Sequence, residues 1–318
     1  MGAELTDADA VWGEQADEPT GVLVMAYGTP ATPDDVEAYY THVRRGRPPT
    51  PELLDDLRAR YEAIGGTSPL LDLTRAQAAG LARALGDGWV VELGMKHAPP
   101  FIEDGMARLA EHGARRVVGL VLAPHYSALS VGEYAARAAA TEAVAEGDVE
   151  LTMIDSWHLA PGYVELLATR VLNAYDHLLV TDPSAVEVVF TAHSLPERIL
   201  QARDPYPDQL RETAEAVAAR AGVARWSIAW QSAGRTPEPW IGPDLLAHLA
   251  ERAQAGVEGV VVCPAVFVSD HLEILYDLDV EARQVAERLG LAFARTESPN
   301  DDPAFCATLA QVVTAAGG

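Results

Sequence analysis

Cysteine is nearly missing from this chain: its 318 residues hold two, Cys263 and Cys306, with no C-x-x-C pair. That excludes a disulfide scaffold and any site needing four cysteines, and leaves two small hydrophobes in a reducing compartment. Lysine is scarcer still, with Lys96 alone beside 22 arginines. Bases total 23 against 47 acids, a net charge of −24. Such a surface repels nucleic acid and anionic membranes, so neither is an expected partner. The longest uncharged apolar stretch, around Gly259 to Ser269, is well short of the about 20 residues a membrane helix needs. The first twenty residues carry Glu4, Asp7, Asp9, Glu14, Asp17 and Glu18 and no base, the reverse of a signal peptide. Residues 1–20 therefore read as a disordered acidic tail on a cytoplasmic protein. No P-loop, G-x-G-x-x-G, G-x-S-x-G or H-E-x-x-H occurs, which removes the usual support for nucleotide, serine hydrolase or zincin chemistry.

What is present is a globular composition, 49% hydrophobic, patterned in two halves. Short apolar runs at 21–27, 89–95, 115–123, 149–154, 186–192, 225–230, 259–267 and 290–295 alternate with helical stretches such as Pro51 to Tyr61, Thr74 to Leu85, Val131 to Ala145 and Gln209 to Ala221. Most of the runs are near-continuously apolar rather than alternating, as parallel strands buried on both faces should be. The polar segment at 181–184 divides them four and four. The prediction is an α/β fold of two similar Rossmann-like lobes, 21–180 and 181–300, each with a four-stranded parallel sheet flanked by helices and with a cleft between them.

Ligands of open parallel sheets bind beyond the carboxyl ends of the strands. Those ends carry Tyr27, Lys96, His97, His125, Tyr126, Trp157, His158, His193, Ser194, Gln231, Ser232, Asp270, His271 and Glu273. Any one of these histidines taken singly reads better as a hydrogen-bond partner for loop backbone; the set points to metal binding. In SDHLEILYDLDVEA (269–282), Glu273, Asp277 and Glu281 recur every four residues, one face of a helix. Like charges at this spacing oppose the helix, which a solvated face tolerates, but the row starts where the cleft should be. Carboxylates facing imidazole suit a divalent transition ion, and a carboxylate row also carries protons or hydrated cations. THVRRGRPP gathers Arg44, Arg45 and Arg47 in a chain poor in positive charge, the natural holder of a carboxylate-bearing substrate.

Taken together, VMAYGTP (24–30), YYTHVRRGRPP (39–49), RYEAIGGTSPL (60–70), LAPHYS (122–127), AHSLPER (192–198), DPYPDQL (204–210), WQSAGRTPEPWIGPD (230–244) and SDHLEILYDLD (269–279) resemble ferrochelatase from about Gly21 to near the C-terminus. The similarity is strongest to enzymes of Gram-positive bacteria and actinobacteria that insert ferrous iron into coproporphyrin III. It implies an iron chelatase of haem biosynthesis, with coproporphyrin III and Fe²⁺ as substrates, no required cofactor, a monomeric state and transient contacts with neighbouring haem-pathway enzymes. It further implies His193 and Glu273 as the catalytic and metal-handling pair across the porphyrin cleft, and Tyr27 as axial ligand of the product iron. Arg44, Arg60, Tyr61, Ser68 and Tyr134 match porphyrin-contacting positions, Asp277 and Glu281 continue the acidic row, and a last helix, 301–315, packs back on the first lobe. Some relatives hold a [2Fe-2S] cluster through four cysteines, a set that two cannot supply. Other readings of the same residues are a protoporphyrin IX chelatase, a related cobalt chelatase, and a coproheme carrier without turnover.

Overall fold

The computed structural model describes residues 18–180 and 182–317. Most of the acidic tail, through Asp17, lies outside the described residues. Strands β1 (Thr20–Ala26), β2 (Trp89–Met95), β3 (Arg116–Val121) and β4 (Glu150–Met153) form one sheet, and β5 (Val186–His193), β6 (Trp226–Gln231), β7 (Gly259–Cys263) and β8 (Ala292–Arg295) form another. The orders β2-β1-β3-β4 and β6-β5-β7-β8 repeat one topology, and every pair is parallel. Burial explains which strands are central. Val22 to Met25 and Val260 to Cys263 are closed to solvent on both faces, whereas the edge strands β4 and β8 are only half buried.

In the first lobe the helices are α1 (Val36–Val43), α2 (Pro51–Ala63), α3 (Leu70–Leu85), α4 (Ile102–Glu111), α5 (Val131–Ala139), α6 (Glu142–Ala145) and α7 (Pro161–Asp176). The second adds α8 (Arg198–Gln201), α9 (Tyr206–Ala221), α10 (Leu245–Gln254), α11 (Leu272–Leu275), α12 (Arg283–Leu289) and α13 (Pro303–Gly317). Helix α13 packs against α3, α7 and β3, and α7 packs against α9, so a single apolar core containing Leu120, Tyr163, Phe190 and Phe305 runs through both sheets. No helix among the described residues is long and apolar enough to cross a membrane.

Two expectations need correction. The helical stretch 131–145 is two helices, because buried Thr141 turns extended and its hydroxyl donates to the Ala138 carbonyl, ending α5 before α6 starts. The acidic row does not ride one regular helix either, since a π segment, Asp277–Ala282, separates α11 from α12. An α turn overshoots by about 40° at the fourth residue, and the wider π turn falls short. Their succession keeps Glu273, Asp277 and Glu281 in line better than an α-helix would.

Polar ties hold the lobes at a fixed separation. Gln77 on α3, fully buried, donates to the carbonyls of Val268 (3.0 Å) and Asn300 (2.9 Å) and accepts from the Ser269 hydroxyl (3.1 Å). The Asp204 carboxylate accepts from the Ser127 hydroxyl (2.9 Å) and the backbone N–H groups of Ala128 (2.8 Å) and Tyr206 (3.1 Å). LAPHYS and DPYPDQL, far apart in sequence, thus meet as one joint. Asp204→Ala is expected to cost about 2 kcal/mol, because charge-assisted hydrogen bonds are lost and their donors are left behind. A thermal melt checks this; an unchanged Tm would show that the joint contributes nothing to stability.

Candidate active site

Between the lobes, at the carboxyl ends of β1 and β5, lies a cleft of about 770 Å³. Its size suits a small-molecule ligand. Tyr27 projects into it from the end of β1. The N–H groups of Lys96 and His97 continue the β1–β2 ladder onto the carbonyls of Ala26 and Tyr27, both at 2.9 Å, which sets the Tyr27 and His97 rings 4.6 Å apart. The next residue must be glycine: Gly28 has φ +96°, and a Cβ there would lie 2.9 Å from the Ala98 nitrogen.

His193 ends β5 on the facing lobe. Its Nδ1 lies against the Ser194 carbonyl, which can only accept, so Nδ1 carries the proton and Nε2 the lone pair. Nε2 is 3.7 Å from Glu273 Oε1. His271 repeats the arrangement: Nδ1 donates to the Ser269 carbonyl at 3.0 Å, and Nε2 lies 3.6 Å from Glu273 Oε2. Two imidazole Nε2 atoms therefore flank one carboxylate. Gln231 on β6 fixes that carboxylate's backbone by donating to the Glu273 carbonyl at 3.1 Å. Burial pushes the Glu273 carboxyl up, but His193, His271 and Arg60 outweigh it and hold it below the usual carboxylate range. His271 goes the other way: burial lowers it, yet the Glu273 carboxylate more than compensates and the imidazolium is favoured.

Behind Glu273, burial and then the Glu273 charge push Asp277 up to about 6, against the Ser232 hydroxyl at 2.5 Å and the Arg60 guanidinium at 3.6 Å. Ser232 donates from a left-handed backbone, φ +58°, a cost that marks the contact as functionally constrained. Glu281, next in the row, is half buried and its charge also raises Asp277.

Of the residues proposed from sequence, Tyr27, Tyr61, Ser68, Tyr134, His193 and Glu273 line this one cleft. Tyr61 is buried, its hydroxyl 3.3 Å from that of Thr29, and burial pushes its phenol up to about 12. Arg44 does not line the cleft. It folds over the Tyr40 ring, 5.6 Å from the centroid, and donates to the Arg47 carbonyl, while Arg45 is the member of the basic cluster that reaches the wall. Arg60, Asp277 and Glu281 form a layer behind the wall, with Arg60 stacked 5.0 Å over Tyr276 and paired to Asp56. His271, Arg45, Lys96 and Glu133 line the cleft although the proposed site set omits them. His271 and Lys96 had a sequence signal in their place at strand ends and Arg45 in the basic cluster; Glu133 had none. No three His, Cys, Asp or Glu side chains among the described residues converge tightly enough to hold a metal ion by themselves.

The ferrochelatase family model matches residues 19–316. The chain belongs to the ferrochelatase family. It is 47% identical to the coproporphyrin III ferrochelatase of Anoxybacillus flavithermus, over 92% of this chain and 95% of that one. Identity to the coproporphyrin III ferrochelatase of Bacillus subtilis is 44%, over 92% and 96%. Among solved structures, the sirohydrochlorin chelatase SirB of Bacillus subtilis in complex with cobalt shares the fold at TM-score 0.55 and 12% identity, covering 94% of this chain and 95% of that one. In this ferrochelatase-family chain, VMAYGTP, RYEAIGGTSPL, LAPHYS, AHSLPER and SDHLEILYDLD each contribute to the wall of the same cleft.

Proposed function

We propose that the protein inserts Fe²⁺ into coproporphyrin III, forming coproheme, a metal chelatase reaction of haem biosynthesis. The observation that carries this reading is the opposition of His193 and Glu273 on one wall to Tyr27 on the other, across a single cleft. The relatives' names support the substrate. Insertion needs the two pyrrole protons removed and the ion stripped of water. His193 Nε2 presents the lone pair for the first task. Glu273, ionised at neutral pH, takes the proton onward or touches the incoming ion, and Asp277 and Glu281 lead away from the cleft. Asp277, near 6, accepts and releases a proton at physiological pH more readily than an ordinary aspartate.

Tyr27 faces the opposite side of the ring and would ligate the product iron. Partial desolvation in the cleft, with the Glu273 and Glu133 charges, raises its phenol above the usual value, so it stays neutral until bound iron supplies a compensating charge. Tyr27→Met is therefore expected to abolish an iron–phenolate signature in the resonance Raman spectrum of bound ferric coproheme, with insertion reduced less than about tenfold. A retained signature removes Tyr27 as ligand.

The purified protein is expected to hold no [2Fe-2S] cluster. Cys263 and Cys306 are both buried, and burial pushes the Cys263 thiol up to about 12, unfavourable for the thiolate a cluster needs. Stoichiometric acid-labile sulfide would contradict this. For the function itself, anaerobic mixing with Fe²⁺ and either porphyrin is the test. Coproporphyrin III should be metallated far faster than protoporphyrin IX in detergent-free buffer, and equal or reversed rates would overturn the substrate assignment.

A further inference from the structure

The cleft wall includes two basic side chains, the mostly buried Lys96 and the largely exposed Arg45, and both are paired with one carboxylate, Glu133. Lys96 Nζ lies 2.5 Å from Glu133 Oε2, and an Arg45 guanidinium nitrogen is 3.3 Å from Oε1. Glu133 lines the cleft itself. An anionic ligand entering here finds its countercharges occupied and a like charge beside them.

Three features mark this arrangement as displaceable. Glu133 is about a third exposed and sits in the first turn of α5, where the helix N-terminus favours a carboxylate even without Lys96. Lys96 is held independently, 5.0 Å over the Tyr134 ring, so the ammonium keeps its place when Glu133 leaves. Arg45 follows the end of α1 at φ +57°, a left-handed position usually given to glycine, next to Gly46 at φ +82°. A residue with a Cβ costs about 1 kcal/mol there, and what it supplies is a guanidinium at the cleft wall.

We propose that Glu133 occupies, in the empty cleft, the place of a substrate carboxylate on Lys96 and Arg45, and is displaced when a carboxylate-bearing tetrapyrrole binds. The proposal rests on the porphyrin reading of the cleft and adds to it an internal competitor for the place of the substrate carboxylate. A ligand carboxylate at the Lys96 side compensates for the broken pair, and a ring without one does not. Glu133 thus competes with ligand carboxylates for the two cations, whereas a ring without a carboxylate leaves the Glu133 pair in place.

Fluorescence titration of the full chain with coproporphyrin III and with its tetramethyl ester, both in the same mild detergent, tests this. Glu133→Gln should tighten coproporphyrin III about fivefold and change the ester less than about twofold, because only the free acid takes over the released cations. Glu133→Ser should behave alike, and Lys96→Met combined with Glu133→Gln should lose most of the gain. An unchanged or weaker affinity of both Glu133 variants for coproporphyrin III, or an equal gain for the ester, would overturn the proposal. Failure of the wild type to bind either compound would overturn the porphyrin reading and this device with it, a result distinct from tight binding that ignores Glu133.

Discussion

His193→Ala is expected to lower the rate of iron insertion at least about a hundredfold while coproporphyrin affinity stays within about tenfold. The geometry separates the two quantities. The imidazole is fixed by its Nδ1 proton on the Ser194 carbonyl, and Tyr206 donates to the His193 carbonyl at 3.1 Å, so the strand end keeps its shape when the ring is removed. Tyr27, Tyr61, Ser68 and Tyr134 still line the cleft. What disappears is the lone pair that accepts a pyrrole proton. Single-turnover metallation measured beside equilibrium binding checks this, and a variant retaining most of its turnover would return His193 to the role of a loop-bonding histidine.

Glu273→Gln should be comparably severe, because it removes the one carboxylate both imidazoles face. Its effect on pH dependence differs from that of His193→Ala. In the wild type Glu273 raises His271 above its ordinary value, so the stabilisation is complete below the unfolded imidazole pKa and is lost as pH rises through the higher folded one. With Gln in place, the main raising influence on His271 is gone, and burial, which lowers it, is opposed only by the Ser269 carbonyl and the Asp277 charge. Wild-type stability should therefore decline from the pH 6 side toward alkaline pH relative to the variant, and the two curves should converge above the folded pKa. Chemical denaturation across that range measures it. A variant with wild-type kcat would leave the carboxylate without a part in proton or metal handling.

The lobes were readable because parallel strands buried on both faces tend to be near-continuously apolar: GVLVMAY and GVVVC are, and VEVVFTA departs only at Glu187 and Thr191. His193 and Glu273 were readable for a related reason, since strand ends face the cleft in this architecture. The π segment was not. Nothing in DLDVEA distinguishes a wider turn from an α turn, and Ser232, which donates to Asp277 from a strained backbone, lies 45 positions away in sequence. The basic cluster was found, but which of its guanidiniums lines the cleft was not: Arg44 and Arg45 are equivalent in sequence, and the structure places Arg45 on the wall and Arg44 over the Tyr40 ring. Glu133 gave no sign in sequence, being an ordinary first-turn acid of an amphipathic helix. Its meaning depends on Lys96, brought to it by the β2 ladder.

The central claim is that this cleft performs metal insertion rather than storage of a tetrapyrrole. Excess enzyme, loaded anaerobically with coproporphyrin III and mixed with Fe²⁺ in weakly buffered solution, can be followed at the Soret band and with a pH indicator together. The expected result is conversion of the free-base spectrum to that of the iron complex, with two protons released per ring and in step with metallation. A bound porphyrin whose spectrum stays that of the free base, with no proton release, would contradict the account and leave a carrier.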